Sequence, residues 1–185
     1  IKGKEKKGQE FIQERFQKIG LEIDTFEPDN ASISKFKQFT PNHSYSGRPN
    51  VVGIYKGKKK GHSLILNGHI DTVPIGEKDS WKVSPFSGKI VKDRIYGRGA
   101  SDMKSGLAAM IMAVEILLKL GYKPENDVII ESVVDEEGGG NGTLSCIERG
   151  YRADVALVAE PTQLEICPVS MGTCLVEVIA KGKPT

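Results

Sequence analysis

The sequence predicts an α/β fold, with a mixed but mainly parallel sheet and helices on both of its faces. Strand-like and helix-like segments alternate through the second half of the 185-residue chain, which is the order typical of parallel sheets. Residues 128–134 form a continuous apolar run, as expected of a buried strand. Residues 105–120 carry apolar side chains at helical spacing. Because alanine and large apolar residues fill most of this helix's circumference, we expect it to be buried on most sides.

The earlier part of the chain is interpreted in the same way. Residues 10–19 are predicted to be a helix, because apolar side chains recur on one face and Gly20 follows as a stop. Residues 51–55 and 63–66 are rich in β-forming residues and flank the lysine-rich run 56–61, which predicts a hairpin. The other predicted elements are strands at 21–26, 154–159 and 172–180, short strand pieces at 89–91 and 94–96, a short helix at 143–149, and loops at 30–47 and over most of 71–99.

Composition and charge exclude several classes of protein. Apolar residues make up 38% of the chain and the net charge is +2, which excludes disorder and a strongly basic nucleic-acid-binding surface. The three cysteines are an odd number without CxxC spacing, so we expect reduced thiols and a cytoplasmic protein. The longest uncharged apolar stretch near a helix, residues 105–114, is far shorter than the roughly 20 residues that cross a bilayer. We therefore expect neither a nucleic-acid nor a membrane partner.

Acidic residues and one histidine follow the predicted strands at the point where each strand ends. Because the carboxyl ends of parallel strands meet at one edge of a sheet, we expect these side chains to converge. So many carboxylates cannot share a small site without a cation, since like charges would force some of them to be protonated. The converging residues are His69 and Asp71 after the strand at 63–66, Asp102 at the start of the main helix, Glu136 and Glu137 after the strand at 128–134, and Glu160 after the strand at 154–159.

A divalent metal site is the chemistry that this cluster favours. Imidazole and carboxylate ligands suit zinc, with manganese or cobalt as alternatives. Asp71 lies two residues after His69, so in an extended chain it can accept the second ring N–H of that histidine. Asp102 has two oxygens and can bridge two ions about 3.5–4 Å apart. Of the adjacent Glu136 and Glu137, one can bind a metal while the other takes a proton from metal-bound water.

Five motifs occur in a fixed order over nearly the whole chain. They are Gly68-His69-Ile-Asp71-Thr-Val-Pro74, Trp81-x-x-x-Pro85-Phe86-x-Gly88, Gly97-Arg98-Gly99-x-Ser-Asp102-Met-Lys104, Asp135-Glu136-Glu137 and Glu160-Pro161-Thr162. This set resembles the di-zinc deacylase and exopeptidase family that includes acetylornithine deacetylase, succinyl-diaminopimelate desuccinylase, aminoacylase and glutamate carboxypeptidase. The resemblance implies a zinc-exopeptidase-like catalytic domain and two Zn²⁺ ions, with Co²⁺ or Mn²⁺ as possible substitutes.

The resemblance also implies a role for each residue of the cluster. The implied metal ligands are His69 and Glu160 for one zinc ion, Glu137 for the other, and Asp102 as the bridge between them. Glu136 would be the general base, and Asp71 would orient His69. A cis peptide bond is implied directly after the bridging aspartate, between Asp102 and Met103.

The same resemblance implies that the chain is the N-terminal part of a larger enzyme. Residues 1–170 would belong to the metal-binding catalytic domain, and residues 171–185 would be the first strand of an inserted α+β lid domain that also forms a homodimer. In the family, a further histidine ligand of the second zinc lies beyond this point. The 185 residues alone are therefore expected to be nearly inactive.

The implied activity is hydrolysis of an amide bond in N-acyl amino acids or related small acylated amines. Dipeptidase or carboxypeptidase action on short peptides, formylaminopyrimidine deformylation, and a catalytically inactive binding module stay open as alternatives. The main rival from another class is a dinucleotide site, because the glycine-rich run 138–142 follows a predicted strand. That interpretation fails, since the third glycine of GxGxxG is missing and the acidic residues 135–137 would repel a pyrophosphate.

Overall fold

A five-stranded sheet forms the centre of the fold in the computed structural model, which describes residues 3–41, 44–169, 172, 176, 178–179 and 182. The strands are β1 (Glu22–Phe26), β2 (Asn50–Tyr55), β3 (Leu64–His69), β4 (Lys89–Val91), β5 (Arg94–Tyr96), β6 (Val128–Val133) and β7 (Val155–Val158). The helices are α1 (Lys6–Lys18), α2 (Asn30–Ile33), α3 (Ser105–Lys119) and α4 (Asn141–Glu148). Strands β4 and β5 form a separate two-stranded hairpin.

The strand order of the main sheet is β1-β2-β6-β3-β7. Strand β3 pairs in parallel with both β6 and β7, whereas β2 pairs antiparallel with both β1 and β6. Only β2 therefore runs against the other four strands among the described residues. This confirms the predicted mixed and mainly parallel sheet.

Helices cover both faces of the sheet, as predicted. On one face Phe16 of α1 and Leu107 of α3 pack against Val51 and Ile130 of the sheet. On the other face Cys146 of α4 packs against Val52, Ile129 and Val133. The predicted loop at 30–47 contains α2, which begins where Asp29 accepts hydrogen bonds from the backbone N–H groups of Ala31 and Ser32.

The predicted hairpin between β2 and β3 is wrong, because β6 lies between them. Glu131 of β6 is paired with Val52 of β2 on one side and with Asn67 of β3 on the other. The lysine-rich run 56–61 wraps around the residues that precede β6, where Lys58 N–H and Lys60 N–H donate to the Glu125 carbonyl at 2.8 and 3.1 Å. The apolar run of β6 is best buried at the centre of the sheet. The lysine-rich run after β2 indicates a turn, but it cannot show that a strand much later in the sequence will lie beside β2.

The expected burial of α3 on most sides is also wrong for the described chain. A stripe that includes Leu107, Met110 and Val114 faces the sheet and is buried. On the opposite side, Met112 and Ile116 are 42% and 48% exposed. The helix packs on the sheet along one stripe only, since none of the described elements covers its outer face.

Two further expectations concern membrane-spanning helices and the C-terminal residues of the chain. Among the described residues, no helix combines the length and the apolar character that a membrane crossing requires. The predicted strand at 172–180 falls largely outside the described residues.

Glu131 of β6 is a carboxylic acid buried beneath α4. It is 3% exposed and accepts a hydrogen bond from Asn67 Nδ2 at 2.7 Å. Burial raises the pKa of Glu131 above its usual value of 4.5, and the hydrogen bond from Asn67 only partly opposes this. Between the ordinary and the raised pKa the folded chain therefore binds more protons than the unfolded chain, and stability falls as the pH rises through that window.

We predict that Glu131→Gln stabilises the protein at alkaline pH. The free energy of unfolding should rise by about 1 kcal/mol near pH 8, because a buried charge is removed, and the gain should vanish near pH 4, where Glu131 is protonated in both states. Urea unfolding at the two pH values measures the difference. The matched control is Glu10→Gln on the exposed side of α1, which should change neither value. An equal gain at both pH values would contradict the explanation.

Candidate metal centre

The carboxyl edge of the sheet brings together the six side chains that the sequence singled out. Strands β3, β6 and β7 are parallel, so their carboxyl ends lie at one edge, and the turn before α3 reaches the same place. The six residues therefore arrive from four segments of the chain, although they are up to 91 positions apart in the sequence. The residues that meet are His69, Asp71, Asp102, Glu136, Glu137 and Glu160.

His69, the last residue of β3, lies at the centre of this group and is 1% exposed. Its Nε2 atom is 3.0 Å from Asp102 Oδ1, and 3.8 Å from both Glu136 Oε2 and Glu160 Oε1. The other ring nitrogen, Nδ1, is 3.1 Å from the backbone oxygen of Asp71 and 3.5 Å from its Oδ1. One nitrogen thus faces the carboxylates and the other faces Asp71, whose backbone oxygen is nearer to the ring than its carboxylate.

The charge state of His69 reflects the surrounding acids. Burial alone would lower its pKa, but the hydrogen bond and charge of Asp71, together with Asp102 and Glu136, raise the pKa to about 9. The proton on this ring therefore balances part of the negative charge of the cluster. A cation bound at Nε2 would take over that role and release the proton, since only a neutral imidazole can be a ligand.

Asp71 holds the turn that carries the two adjacent glutamates. Its carboxylate accepts hydrogen bonds from the backbone N–H groups of Glu136 at 3.2 Å and of Glu137 at 3.3 Å. The backbone N–H of Val73 lies 3.4 Å from Glu137 Oε1. The sequence predicted a contact between Asp71 and His69 only. It missed this second contact, because the contact depends on β3 and β6 being neighbours in the sheet.

The cluster contains two overlapping sets of ligand atoms. In each set the atoms lie within 4.8 Å of one another: one set is His69, Glu136 and Glu160, and the other is His69, Asp102 and Glu137. Burial, and then repulsion from the neighbouring carboxylates, raise the pKa values of Glu136 and Glu160. Imidazole and carboxylate donors fit zinc, cobalt or manganese. A divalent cation would relieve the repulsion, so the residues present fit such an ion.

The turn before α3 directs Asp102 towards this cluster. Met103 is fully buried in the core, whereas the Asp102 side chain is 53% exposed, and the peptide bond between them is cis, as the resemblance implies. Gly106, in the first turn of α3, lies so close to the Ala159 carbonyl that a Cβ atom would overlap with it. This close approach brings Asp102 near Glu160, and only glycine permits it.

Two cations near the site have different surroundings. The Arg98 guanidinium stacks over the ring of Trp81 at 5.1 Å, so it supports the loop that precedes α3. Lys104 is half-buried and interacts with the charges of Asp71, Asp102 and Glu137, while burial is the largest cause that lowers its pKa. Of the two, Lys104 is the one that offsets the negative charge of the cluster.

A family model and several known proteins match this chain. A family model described as Peptidase family M20/M25/M40 matches residues 65–185. An N-formyl-4-amino-5-aminomethyl-2-methylpyrimidine deformylase of Halalkalibacterium halodurans is 38% identical over 160 residues, which are 85% of this chain and 34% of that protein. A succinyl-diaminopimelate desuccinylase of Parvibaculum lavamentivorans is 38% identical over 128 residues, which are 66% of this chain and 32% of that protein. The chain thus spans about a third of the length of these relatives.

Solved structures show the same likeness. The crystal structure of an M20 family metallo-carboxypeptidase from Sulfolobus solfataricus matches with a TM-score of 0.65 and 27% sequence identity, over 83% of this chain and 32% of that chain. A tripeptidase from Staphylococcus aureus matches with a TM-score of 0.54 and 24% identity, over 82% of this chain and 37% of that chain. The second likeness supports the fold.

Proposed function

The chain belongs to peptidase family M20/M25/M40, and from this premise we propose that it is part of a metal-dependent hydrolase. The proposed reaction is cleavage of the amide bond of N-acyl amino acids or related small acylated amines. The observation that carries the proposal is the convergence of one imidazole and several carboxylates around His69 at the carboxyl edge of the sheet. Relatives named as a deformylase and a desuccinylase, for removal of a formyl and a succinyl group, support the choice of substrate class.

We propose two Zn²⁺ ions as the cofactor, replaceable by Co²⁺ or Mn²⁺. His69 and Glu160 would hold one ion, Glu137 would hold the other, and Asp102 would be a ligand shared by both. Divalent ions supply Lewis acidity when bound, which acidifies water and polarises a carbonyl oxygen. His69 Nε2 lies 3.0 Å from Asp102 and 3.8 Å from Glu160. These distances support the proposal, because they bring ligand atoms from three different segments close together.

Glu136 is proposed as the general base. It would accept a proton from the attacking water and later deliver this proton to the leaving nitrogen. Burial raises the pKa of Glu136, and a carboxylate with a raised pKa is a better proton acceptor near neutral pH. Asp71 would keep Glu136 in place through the backbone N–H bond, and it would fix the orientation of the His69 ring.

A second candidate is deformylation of an N-formylated aminopyrimidine. It is favoured by the match to the Halalkalibacterium halodurans deformylase over 85% of this chain, and by a Bacillus subtilis deformylase that is 43% identical over 124 residues. Both reactions cleave an amide bond, so the same cluster would serve either substrate.

We further propose a domain organisation and an assembly for the complete protein. Residues 1–170 would belong to the catalytic domain, and residues 171–185 would begin a lid domain through which two copies form a homodimer. The support is the motif resemblance and the greater length of the relatives, of which this chain spans about a third. A cytoplasmic location is proposed from the absence of CxxC spacing and the odd cysteine number.

A substrate screen tests the proposed function. The complete natural polypeptide that contains this chain should be stripped of metal, reloaded with zinc, cobalt or manganese, and assayed against N-acetyl, N-formyl and N-succinyl amino acids, N-formylaminopyrimidines and dipeptides. We expect hydrolysis of at least one N-acyl amine, and only after metal is restored. Hydrolysis of dipeptides alone would favour a peptidase. Full metal binding without any hydrolysis would contradict the proposal and favour a binding module.

A further inference from the structure

A buried polar cluster includes the residue that directly precedes Glu136, and the proposed function gives this cluster no role. We call it the rear cluster. Its members are at most 4% exposed, and they come from the start of α1, the segment before β2, the turn after β6 and the start of α4. Burying so many polar groups is costly unless they are bonded to one another. The members are Glu5, Tyr45, Arg48, Asp135 and Asn141.

Asp135 connects the rear cluster with the turn over residues 135–140, which carries Glu136 and Glu137 and which we call the catalytic turn. Its backbone has φ 65°, in the left-handed region that, apart from glycine, mainly asparagine, aspartate and histidine adopt. It directly precedes Glu136, and its carbonyl accepts a hydrogen bond from Gly140 N–H at 2.8 Å. Asp135 therefore begins the turn over residues 135–140 that presents Glu136 and Glu137 to the metal centre.

Two side chains from the segment before β2 hold the Asp135 carboxylate. Tyr45 Oη donates to Asp135 Oδ2 at 2.5 Å, and Arg48 Nη2 lies 3.8 Å from Asp135 Oδ1. Arg48 is itself fixed, because its Nη2 and Nε donate to the two carboxylate oxygens of Glu5 at 2.9 and 3.1 Å. Asn141 Nδ2 donates to Tyr45 Oη at 2.9 Å. Charge-assisted bonds of this kind are shorter and stronger than those between neutral groups.

The catalytic turn is thus held on two sides. On the metal side, the Asp71 carboxylate accepts the backbone N–H groups of Glu136 and Glu137. On the core side, Tyr45 and Arg48 hold the side chain of Asp135. A single anchor would leave the turn free to rotate about it. Two separate anchors, one on the backbone N–H groups of the glutamates and one on the Asp135 side chain, restrict the direction in which the two glutamates point.

We propose that Tyr45 and Arg48 are positioning residues, which act through Asp135 to fix the Glu136 carboxylate in the direction needed for proton transfer. Those tests of this inference that measure activity rest on the proposed function. Both residues contact Asp135, which directly precedes Glu136. Their effect on turnover comes from the placement of Glu136, because a displacement of a reacting group by about 1 Å can cost 10²-fold in rate.

Tyr45→Phe is the sharpest test, because it keeps the ring and removes only the hydroxyl. In the complete natural polypeptide loaded with zinc, we expect kcat to fall about tenfold or more while KM stays within about twofold. The metal content should not change. The matched control is Tyr151→Phe, which removes a similar bond from Tyr151 Oη to Asp24 Oδ2 at 2.6 Å on the other side of the sheet. Its kcat should stay within about twofold of the wild type.

Two substitutions at Asp135 complement this test. Asn keeps an oxygen that can accept from Tyr45 and tolerates a left-handed backbone, so Asp135→Asn should lose far less kcat than Asp135→Ala. Variants of Arg48 are less informative, because they leave Glu5 and Asp135 buried without their shared cation.

Amide hydrogen exchange supplies a readout that needs no substrate. In the zinc-loaded protein, the amides of residues 136–140 should exchange faster in Tyr45→Phe than in the wild type or in Tyr151→Phe. If the wild type hydrolyses no tested substrate, the proposed function fails, and this exchange difference still tests the positioning role. Unchanged exchange in Tyr45→Phe, or a lowered melting temperature with an unchanged kcat, would overturn the inference.

Discussion

Replacing Glu136 by glutamine is expected to leave the metal content unchanged and to lower turnover by about 10³-fold. Glutamine has nearly the same size and shape as glutamate, so the turn over residues 135–140 should keep its structure. The amide cannot accept a proton from the attacking water, and this step is the role proposed for Glu136. Metal analysis and steady-state kinetics on the same sample of the complete natural polypeptide measure both parts of the expectation.

The neighbouring glutamate provides the matched comparison. Glu137 lies in the ligand set with His69 and Asp102, so Glu137→Gln should weaken the binding of one ion in addition to lowering turnover. Glu125→Gln, on the exposed loop before β6, should change neither property. The structure also places Glu136 in a ligand set with His69 and Glu160. Loss of metal from Glu136→Gln would therefore identify Glu136 as a ligand, and activity within about tenfold of the wild type would show that it is not the base.

Asp102→Asn is expected to have the second large effect, which acts on the metal itself. Asp102 Oδ1 lies 3.0 Å from His69 Nε2, and its side chain is 53% exposed, so it can be replaced without disturbing the core. A neutral amide cannot bridge two cations as a carboxylate does. We expect the affinity for at least one ion to fall by about 100-fold or more, beyond the 10- to 100-fold typical of residues that only support a ligand. Turnover should fall by about 10³-fold.

Competition with a chromogenic chelator measures the zinc affinity of this variant. Asp93→Asn, at the exposed turn between β4 and β5, is the control that should bind metal as the wild type does. Both proteins should show the same melting temperature in the absence of metal. If Asp102→Asn held two ions with unchanged affinity, the bridging role would be excluded.

The position of the candidate site could be predicted from the sequence because its residues occur where strands end. His69 follows a β-rich run and Glu136 follows a continuous apolar run, and both patterns are local. The step from separate strand ends to one site needed only the rule that parallel strands share a carboxyl edge. The mixed sheet and its helical layers followed from the same alternation of elements.

The remaining features depend on which elements are neighbours, and no local pattern records that. The hairpin prediction at 51–66 failed because β6 enters between β2 and β3. Tyr45 lies in a segment without periodicity, and its partner Asp135 is 90 positions away in the sequence. The outer face of α3 illustrates a third limit: apolar composition predicts that a helix face is suited to burial, whereas its exposure depends on which elements pack there.

The central place of β6 has a consequence for the chain as it leaves the ribosome. Strands β2 and β3 both pair with β6, so these pairings cannot form until residue 133 has been synthesised. Until then, the edges of β2 and β3 that will pair with β6 have no partner strand. Unpaired strand edges of this kind are a known cause of aggregation. The lysine-rich run 56–61 lies between these two strands, and charges that flank apolar strands generally oppose aggregation. We therefore expect the full set of lysines in this run to reduce aggregation of the unfinished sheet.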